Sequence, residues 1–387
     1  MYRPSTALTP VLYIPGKIYQ TGVYLRNRAF DAGLIPVRRL TRPTVSVGNL
    51  TLGGTGKTPF VIYLSGLFEE MGYKTAILTR GYGRRKSGKT IILKQGENRG
   101  LPASLLGDEP ALIRRRLSES WLGISSDRFC AAHSIERQIK QLEQTNQVVF
   151  VLDDGFQHRG IHRDLDIVMI DRTNPPDDDS LFPLRTLREP ASELRRAHVV
   201  VINGSVPSDD GGIKNIGNDA LIDRLRKYAP QAEYFNCLQS IKDVLPFPLW
   251  LDSKPSHNLR ESPGTVFLTA AIGNPQRFKR DIQNMGFEVR GCTFFKDHAG
   301  IGEKGWKMCV ESARKAKAEA IIITEKDAVK ITRPPDFPLL VAVQNTELSE
   351  TVRFREMLAR IFIGFLPLVR RKRAWLQGAH GDGDEGI

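Results

Sequence analysis

Short apolar runs rich in β-branched residues alternate with helical patterns along most of the chain. The strand-like runs are TVSVGNL, KTAILTRG, QVVFVLDDG, DLDIVMID and HVVVING, followed later by GTVFLTAAIGN, FEVRGCTFF and EAIIITEKDA. This alternation predicts an α/β fold in which helices cover a mostly parallel sheet. Polar, turn-rich sequence from about Ser205 to Asn218 interrupts the alternation. We therefore expect a catalytic domain at residues 1–205 and a second, smaller α/β domain at residues 206–350.

The amino-terminal segment has the pattern of an amphipathic, basic helix. Its apolar positions recur every three or four residues, at Ile14, Ile18, Gly22, Leu25 and Ala29. Residues 1–42 contain seven Lys or Arg and one acid, Asp31. Such a helix can lie in a membrane interface with its basic side chains at anionic head groups. It can equally pack on the domain's own core, and the periodicity alone leaves both interpretations open.

A second apolar and basic stretch, VRFREMLARIFIGFLPLVRRKRAW, comes near the end of the chain. We expect residues 351–387 to form a basic helix followed by a disordered tail, GAHGDGDEGI. The helix is a second candidate for contact with a membrane surface.

The net charge of +13 points to a polyanionic partner, which is nucleic acid, an anionic membrane surface or a phosphorylated substrate. The basic residues gather at the chain ends and in one glycine-rich loop, so we expect no nucleic acid partner. The four cysteines form no C-x-x-C pair, which fits a reducing, cytoplasmic setting without a zinc site or disulfides. No run approaches the roughly 20 apolar residues that cross a bilayer, and the amino end lacks a signal-peptide pattern. We expect a protein that is neither exported nor membrane-spanning.

A glycine-rich loop, GGTGKT, lies between the first strand-like run and a helical pattern. The loop consists of Gly53, Gly54, Thr55, Gly56, Lys57 and Thr58. Glycines let backbone N–H groups close around phosphate oxygens, and the amino end of the following helix adds a favourable field. Lys57 is then expected to reach the β- and γ-phosphates, and Thr58 to ligate Mg²⁺. The loop therefore predicts a P-loop kinase-type core with ATP and Mg²⁺ as cofactors, although Thr51 replaces the usual opening glycine. A plain glycine turn is the alternative, and the strand and helix around the loop disfavour it.

Two carboxylate pairs are candidates for the chemistry. Asp153 and Asp154 end the apolar run QVVFVLDD, where a carboxylate is expected to hold Mg²⁺ beside a phosphate loop. Asp108 and Glu109 lie between a glycine and a proline that turn the chain into a helix. That turn can present an acid to a site, but a helix-capping aspartate followed by a first-turn glutamate explains the same pattern.

Three further segments have two interpretations each. Gln157 and His158, in GFQH, can orient a water or a phosphate, or cap the local turn. His298, in CTFFKDHAG, can pair with an acid of the first domain across a cleft, or lie in a loop without a catalytic part. The basic segment TRGYGRRKSGK can clamp a phosphate with its arginines, or form a solvated hairpin tip.

The motifs, taken in order, resemble the tetraacyldisaccharide 4'-kinase family, the lipid A 4'-kinases of Gram-negative bacteria. The shared motifs are VGNLTLGGTGKTP, TRGYGR, GDEP, LDDGFQHR, LREP, GNPQRF, FKDH and TEKDAVK. The family's loop also lacks the opening glycine. The resemblance implies a kinase that moves the γ-phosphate of ATP to the 4'-hydroxyl of a tetraacylated glucosamine disaccharide 1-phosphate, giving lipid IVA. It further implies a peripheral protein on the cytoplasmic face of the inner membrane, with the lipid A precursor as its partner.

The resemblance also implies the roles of particular residues. Asp108 matches the catalytic base, His298 matches the histidine that pairs with it, and Lys57 belongs to the catalytic set. The residues near the metal are Thr58, Glu109, Asp153 and Asp154. The residues at the nucleotide are Gly53, Gly54, Thr55, Gly56, Lys57 and Thr58 of the loop, with Arg188 and Glu189 of the LREP motif.

Two other classes of function compete with the kinase. A nucleotide-switch ATPase transfers phosphate only to water, but partition-type ATPases carry a signature lysine where this chain has Leu52. A catalytic contribution of His298 from a second domain also counts against a switch. A nucleic-acid-binding NTPase is motivated only by the net charge.

Overall fold

The alternating apolar runs form strands wherever the chain is described. The computed structural model describes residues 9–82, 84, 89–97, 101–142, 147–204, 206–207, 213–214, 218–252 and 264–362. The strands are β1 (Thr44–Gly48), β2 (Lys74–Thr79), β3 (Ile91–Leu93), β4 (Trp121–Ile124), β5 (Val148–Asp153), β6 (Leu165–Asp171), β7 (Val199–Asn203), β8 (Val206–Pro207), β9 (Ile213–Lys214), β10 (Glu233–Pro246), β11 (Thr265–Ala270), β12 (Glu288–Phe294), β13 (Ala320–Thr324) and β14 (Leu339–Leu348).

Helices follow most of these strands, as the α/β pattern predicts. They are α1 (Thr9–Asp31), α2 (Lys57–Glu70), α3 (Ala103–Leu106), α4 (Asp108–Arg116), α5 (Arg128–Gln141), α6 (Asn218–Arg226), α7 (Phe247–Leu251), α8 (Pro275–Asn284), α9 (Glu303–Lys315), α10 (Glu325–Ala328) and α11 (Thr351–Phe362). Short 3₁₀ turns occupy Pro176–Asp178 and Ala191–Arg196.

One twelve-stranded sheet runs through the described residues in the order β12-β11-β13-β14-β10-β7-β6-β1-β5-β2-β4-β3. Adjacent strands of this sheet are parallel, except that β10 is antiparallel to β14 and β3 is antiparallel to β4. Helices cover both faces, so the central strands are buried on both sides and read as continuous apolar runs. In β13, for example, Ile321 and Ile323 pack in one core cluster and Ile322 in another. The predicted mostly parallel α/β fold is confirmed.

Strand β10 connects the two halves of the sheet. Its first residues, up to Cys237, pair in parallel with β7. From Cys237 onward the strand pairs with β14 in the antiparallel sense. The parallel strands of the second half therefore run opposite to those of the first half. As a result, the carboxyl ends of β1, β5, β6 and β7 face the carboxyl ends of β11 and β13 across a gap. The predicted division at about residue 205 stays a prediction, and the sheet itself continues across it.

Helix α1 leaves part of its apolar stripe in solvent. Ile14 and Ile18 are each 68% exposed and Leu25 is 60% exposed. The opposite side contacts the protein, where the Tyr19 hydroxyl donates to the backbone oxygen of Arg188 at 2.9 Å. Packing on the domain's own core therefore accounts for one side of this helix, and not for the stripe that the sequence pattern identifies.

Helix α11 behaves differently from the membrane-surface element expected near the end of the chain. Phe354, Met357, Leu358 and Phe362 are buried. The Phe354 ring packs edge-on against Phe235, with 5.0 Å between the ring centroids. Residues 351–362 thus complete the core of the first half of the sheet, because a basic amphipathic pattern does not specify whether its apolar side meets lipid or protein. The rest of the predicted helix and tail, residues 363–387, lies outside the described residues.

Candidate active site

A cleft of about 650 Å³ opens between the carboxyl ends of the strands in the two halves of the sheet. One wall is the glycine-rich loop, from Leu52 to Pro59, at the carboxyl end of β1. The other wall includes Gly273 and Asn274 after β11 and Lys326 after β13. Ligands of open α/β sheets bind outside the carboxyl ends of the strands. Here the carboxyl ends of strands from both halves of the sheet line the same cleft.

The loop backbone has the geometry of an anion cradle. Gly56 has a φ of 85° and immediately precedes the first residue of α2, and a Cβ there would collide with the Gln239 side chain. Gly53 has a φ of 113°, and Cβ atoms added at Gly53 or Gly54 would meet no atom within 4 Å. The peptide groups of these glycines are therefore open to the cleft. Thr58 lies in the first turn of α2, where backbone N–H groups have no partner within the helix.

Two amides from the neighbouring strands hold the loop in place. Asn203, at the end of β7, donates from Nδ2 to the backbone oxygen of Thr55 at 3.1 Å. Gln239, in β10, donates from Nε2 to the backbone oxygen of Gly56 at 2.7 Å. The strand that connects the two halves thus also fixes the shape of the loop.

Lys57 belongs to a chain of charges at the base of the loop. Its Nζ lies 3.4 Å from Oδ1 of Asp154, and Arg188 Nη1 lies 2.8 Å from Oδ2 of the same carboxylate. Burial alone would raise the pKa of Asp154, but the charges of Lys57 and Arg188 outweigh it and lower this pKa to about 2. Asp154 also has a φ of 52°, in the left-handed region that few non-glycine residues adopt. Asp154 is therefore an ionised anchor that orients Lys57.

Asp153 lies beside this chain and has the opposite electrostatics. It ends β5, is 2% exposed, and accepts a hydrogen bond of 3.0 Å from the Thr79 hydroxyl. Burial, followed by the negative charges of Glu109 and Asp154, raises its pKa to about 7. A cation among these carboxylates would relieve that repulsion. The described residues contain no group of three or more His, Cys, Asp or Glu placed to hold a metal.

Asp108 and His298 meet across the cleft. Asp108 is the first residue of α4, directly after Gly107 at the N-cap position. Gly107 before it has a φ of 96°, and a Cβ there would lie 2.7 Å from the backbone oxygen of Tyr82. His298, with a φ of 64°, follows β12. Its Nδ1 lies 3.4 Å from Oδ2 of Asp108, although the two residues are 190 positions apart in the chain.

Two lysines complete this cluster. Lys326 Nζ lies 3.2 Å from Nε2 of His298 and 3.9 Å from Oε1 of Glu109. Lys330 Nζ lies 3.8 Å from Oδ2 of Asp108. Because an ammonium group only donates, Nε2 of His298 accepts, which leaves the ring hydrogen on Nδ1 facing Asp108. The geometry therefore assigns His298 as the donor and Asp108 as the acceptor.

Comparison with known proteins shows the family of the chain. The family model described as tetraacyldisaccharide-1-P 4'-kinase matches residues 8–362. The chain belongs to this family. It is 33% identical over 340 residues to the tetraacyldisaccharide 4'-kinase of Geobacter metallireducens, covering 85% of this chain and 89% of that protein. It is 34% identical to the Geobacter sulfurreducens enzyme of the same name, covering 84% and 85%. The resemblance drawn from the motifs is confirmed.

A solved structure has the same fold over nearly the whole chain. The crystal structure of LpxK from Aquifex aeolicus in complex with ATP superposes with a TM-score of 0.68 at 26% identity. The match covers 92% of this chain and 99% of that one. The family is thus one of ATP-dependent kinases, and its α/β architecture is the one described above.

Other residues that the sequence suggested lie farther from the cleft. Glu189 is 1% exposed, and its carboxylate is bonded to Arg196 at 2.5 Å and to Asn27 of α1 at 3.1 Å. These contacts do not favour a direct bond to a nucleotide, which stays a prediction. Gln157 donates to the backbone oxygen of Asn49 at 2.8 Å and so supports the strand that precedes the loop.

His158 is mostly buried, and the basic glycine segment is described only in part. Burial and the nearby charges of Arg128 and Arg163 lower the pKa of His158 to about 4, so it is neutral at pH 7. In the segment TRGYGRRKSGK, Tyr82 packs edge-on against His298 with 5.7 Å between the ring centroids. Residues 83 and 85–88, including two of its basic side chains, lie outside the described residues.

Several residues of the site carry no sequence signal that assigns them a role. They include Asn203, Gln239, Lys326, Lys330 and Arg128, whose guanidinium lies 3.4 Å from the backbone oxygens of Asp153 and Asp154. Three of these residues stand at positions that a sequence pattern marks. Asn203 directly ends a strand, and Lys326 and Lys330 belong to the TEKDAVK motif shared with the family.

The raised pKa of Asp153 makes the stability of the protein depend on pH. The folded state binds its proton up to about pH 7, whereas the unfolded chain releases it near pH 4. The folded state thus binds more protons between these values, and this group destabilises the fold as pH rises through them. Asp153→Asn, which stays neutral, should raise the free energy of unfolding at pH 8 by roughly 2–4 kcal/mol, with a smaller gain at pH 5. Thermal melts without nucleotide or Mg²⁺ measure this.

Asp154→Asn is the matched control for that experiment. The pKa of Asp154 is lowered to about 2, so its charge stabilises the fold at every pH above the unfolded value near 4. Its loss should lower the melting temperature at pH 8. If Asp153→Asn also lowered the melting temperature at pH 8, the electrostatic account of Asp153 would be wrong.

Proposed function

We propose that this chain transfers the γ-phosphate of magnesium-bound ATP to the 4'-hydroxyl of tetraacyldisaccharide 1-phosphate at the cytoplasmic face of the inner membrane. Membership of the 4'-kinase family supplies the reaction class and the acceptor. The observation that carries the mechanism is the 3.4 Å contact between Asp108 and His298, whose chain neighbours Glu109 and Asp297 line the same cleft as the phosphate loop.

The loop and its lysine form the phosphate side of the proposed site. Backbone N–H groups of Gly53 to Gly56 surround the phosphates, and Lys57 shifts from Asp154 toward them as negative charge enters the cleft. Arg188 keeps Asp154 paired when Lys57 moves, because it bonds the same carboxylate. Thr58, Asp153 and Glu109 are the proposed metal ligands. Mg²⁺ held by these residues would supply positive charge that offsets the charge of the phosphates.

Asp108 acts as the general base in this proposal. The 4'-oxygen forms a bond to the γ-phosphorus while the bond from that phosphorus to the β–γ bridging oxygen breaks, and ADP leaves. The hydroxyl proton passes to Asp108. His298 holds the carboxylate through Nδ1–H, and Lys326 fixes the ring by donating to Nε2. Lys326 thereby orients the base through His298.

The exposed stripe of α1 supports membrane binding. Ile14, Ile18 and Leu25 lie on one side of the helix, with Tyr13 and Tyr24 also more than half exposed. Apolar side chains flanked by Tyr, Lys and Arg suit the interface of an anionic bilayer, and the net charge of +13 is of the matching sign. No helix among the described residues is both long and apolar enough to cross a membrane. We therefore propose that α1 lies in the interface.

The inner side of α1 contacts the LREP loop. Tyr19 bonds the backbone of Arg188, and Asn27 bonds the side chain of Glu189. Deleting the helix would remove these supports of the nucleotide site together with the apolar stripe. Single substitutions on the exposed side separate the two effects.

The proposed reaction predicts a phosphotransfer that needs both the lipid and the metal. Purified protein with ATP, Mg²⁺ and tetraacyldisaccharide 1-phosphate in detergent micelles should yield phosphorylated lipid and an equal amount of ADP. Omitting Mg²⁺ should nearly abolish both products. Release of ADP that is indifferent to the lipid would instead support a switch ATPase.

Removing the base should affect chemistry more than nucleotide binding. Asp108→Asn keeps the shape but cannot accept the proton, so kcat should fall by about two to four orders of magnitude. ATP affinity, measured by titration calorimetry, should stay within about threefold. His298→Ala should cost less, because it removes only the group that orients the base. Unchanged turnover in Asp108→Asn would remove Asp108 from this role.

Membrane binding should depend on the exposed side of α1. Ile18→Glu places a charge among the apolar residues and should weaken co-sedimentation with phosphatidylglycerol vesicles by at least about tenfold. Gln20→Glu changes the charge equally on another exposed side of the helix and is the control. Equal loss in both variants would indicate that charge alone governs binding, and no loss in Ile18→Glu would place the anchor elsewhere.

A further inference from the structure

Both ends of helix α4 contact residues that follow strands of the second half of the sheet. At its amino end, Asp108 contacts His298 and Lys330. At its carboxyl end, Arg116 Nη1 donates to both carboxylate oxygens of Glu325, at 2.9 and 3.0 Å. Ionic contacts with the second half of the sheet therefore hold both ends of the helix that carries the proposed base.

Glu325 is built into the second half of the sheet. It is 4% exposed, and besides Arg116 it accepts from Nε1 of Trp250 at 3.2 Å and from the backbone N–H of Gln344 at 2.9 Å. Each carboxylate oxygen thus has two donors. A buried carboxylate left without its cation is strongly unfavourable, so the position of Glu325 dictates where the Arg116 side chain must lie.

The neighbouring residue Arg115 reinforces this end of α4. Its guanidinium lies over the Trp250 ring at 3.9 Å from the centroid, and it donates to the Trp250 backbone oxygen. Trp250 therefore contacts both Glu325 and the helix that Glu325 holds.

The same short helix, α10, links Glu325 to the proposed catalytic cluster. Glu325 begins α10, and Lys326 follows it directly. Lys330, just beyond the helix, is bonded to Asp327 at 2.8 Å. Asp327 in turn accepts from the Thr324 hydroxyl at 2.8 Å and from the Ala271 backbone at 3.0 Å. These contacts tie α10 to β11 and β13, so a shift of Glu325 relative to α4 would shift the lysines as well.

We infer that Arg116 and Glu325 are positioning residues for the kinase reaction. Their ion pair sets the distance between Asp108 on α4 and His298 on the facing edge. Eight residues of helix, at 1.5 Å each, put Arg116 about 12 Å from Asp108, so the pair acts through the helix and does not touch the reacting atoms. The inference rests on the proposed roles of Asp108 and His298.

Removing the pair should displace α4 without unfolding it. Pro110, Ala111, Leu112 and Ile113 of α4 are buried, and Ile113 packs in the main core of the first half. The backbone of α4 also ends on the hydrogen bond from Leu117 to Ile113, at 2.8 Å. The helix therefore keeps its own packing when its tie to the facing edge is lost.

Steady-state kinetics of Arg116→Met test this inference. The substitution keeps the length of the side chain and removes its charge. We expect kcat to fall 10- to 100-fold, with KM for ATP and for the lipid changed less than about threefold. Arg116→Lys should recover part of the loss. Arg360→Met, which removes an exposed arginine of α11, should leave kcat unchanged.

A double-mutant cycle separates positioning from general damage. If the pair acts through Asp108 and His298, Arg116→Met should cost little further in a His298→Ala background. An undiminished fold-loss in that background, or wild-type kcat in Arg116→Met alone, would overturn the inference. Glu325→Gln provides the same readouts should Arg116→Met fail to fold, as judged by its melting curve.

Failure of the proposed function gives a different pattern. If Asp108→Asn retained wild-type turnover, the base assignment would fall whatever Arg116→Met did. If Asp108→Asn lost turnover while Arg116→Met and Glu325→Gln kept it, only the positioning role of the ion pair would be wrong.

Discussion

The double pairing of strand β10 is the constraint on which the active cleft depends. A parallel α/β sheet presents all its strand ends along one edge, and ligands bind there. Because β10 pairs in parallel with β7 and then antiparallel with β14, the second set of parallel strands points back toward the first. Loops from both edges therefore face one space. Asp108 and His298 meet only because of this reversal.

The carboxylates of the cleft lower the stability of the folded protein. Burial, followed by the negative charges of Glu109 and Asp154, raises the pKa of Asp153 to about 7. Such crowding costs folding free energy in the empty protein. In the proposed reaction, Mg²⁺ held at these carboxylates would offset the repulsion between them. The left-handed backbone at Asp154 and His298 is a further local cost at the same place.

Helix α1 joins the proposed membrane surface to the nucleotide site. Its exposed side carries the apolar stripe, and its inner side bonds the loop that contains Arg188 and Glu189. Arg188 bonds Asp154, which pairs with Lys57. If α1 lies in the bilayer interface as proposed, these contacts connect the membrane surface to the phosphate loop. The ion pair of Arg116 with Glu325 is inferred to position the other wall of the cleft, because it holds the helix that carries Asp108.

Local features of the site were readable from the sequence because their chemistry is local. A glycine loop between a strand and a helix needs only neighbouring residues to form, so position alone indicates Gly53 to Thr58 and the two acids at the end of β5. The parallel α/β pattern followed from the alternation of apolar runs, since burial on both faces makes each strand apolar throughout.

Periodicity tells which side of a helix is apolar, and it does not tell what that side contacts. The stripes of α1 and α11 look alike in sequence, yet Ile18 is exposed and Phe354 is buried. Likewise, no local pattern distinguishes Asp153 from Asp154. Burial and then neighbouring carboxylates raise the pKa of Asp153, whereas the charges of Lys57 and Arg188 outweigh burial and lower the pKa of Asp154. The sequence by itself determined the elements and the phosphate loop. The tertiary structure decided which charges face each other, because those contacts join residues far apart in the chain.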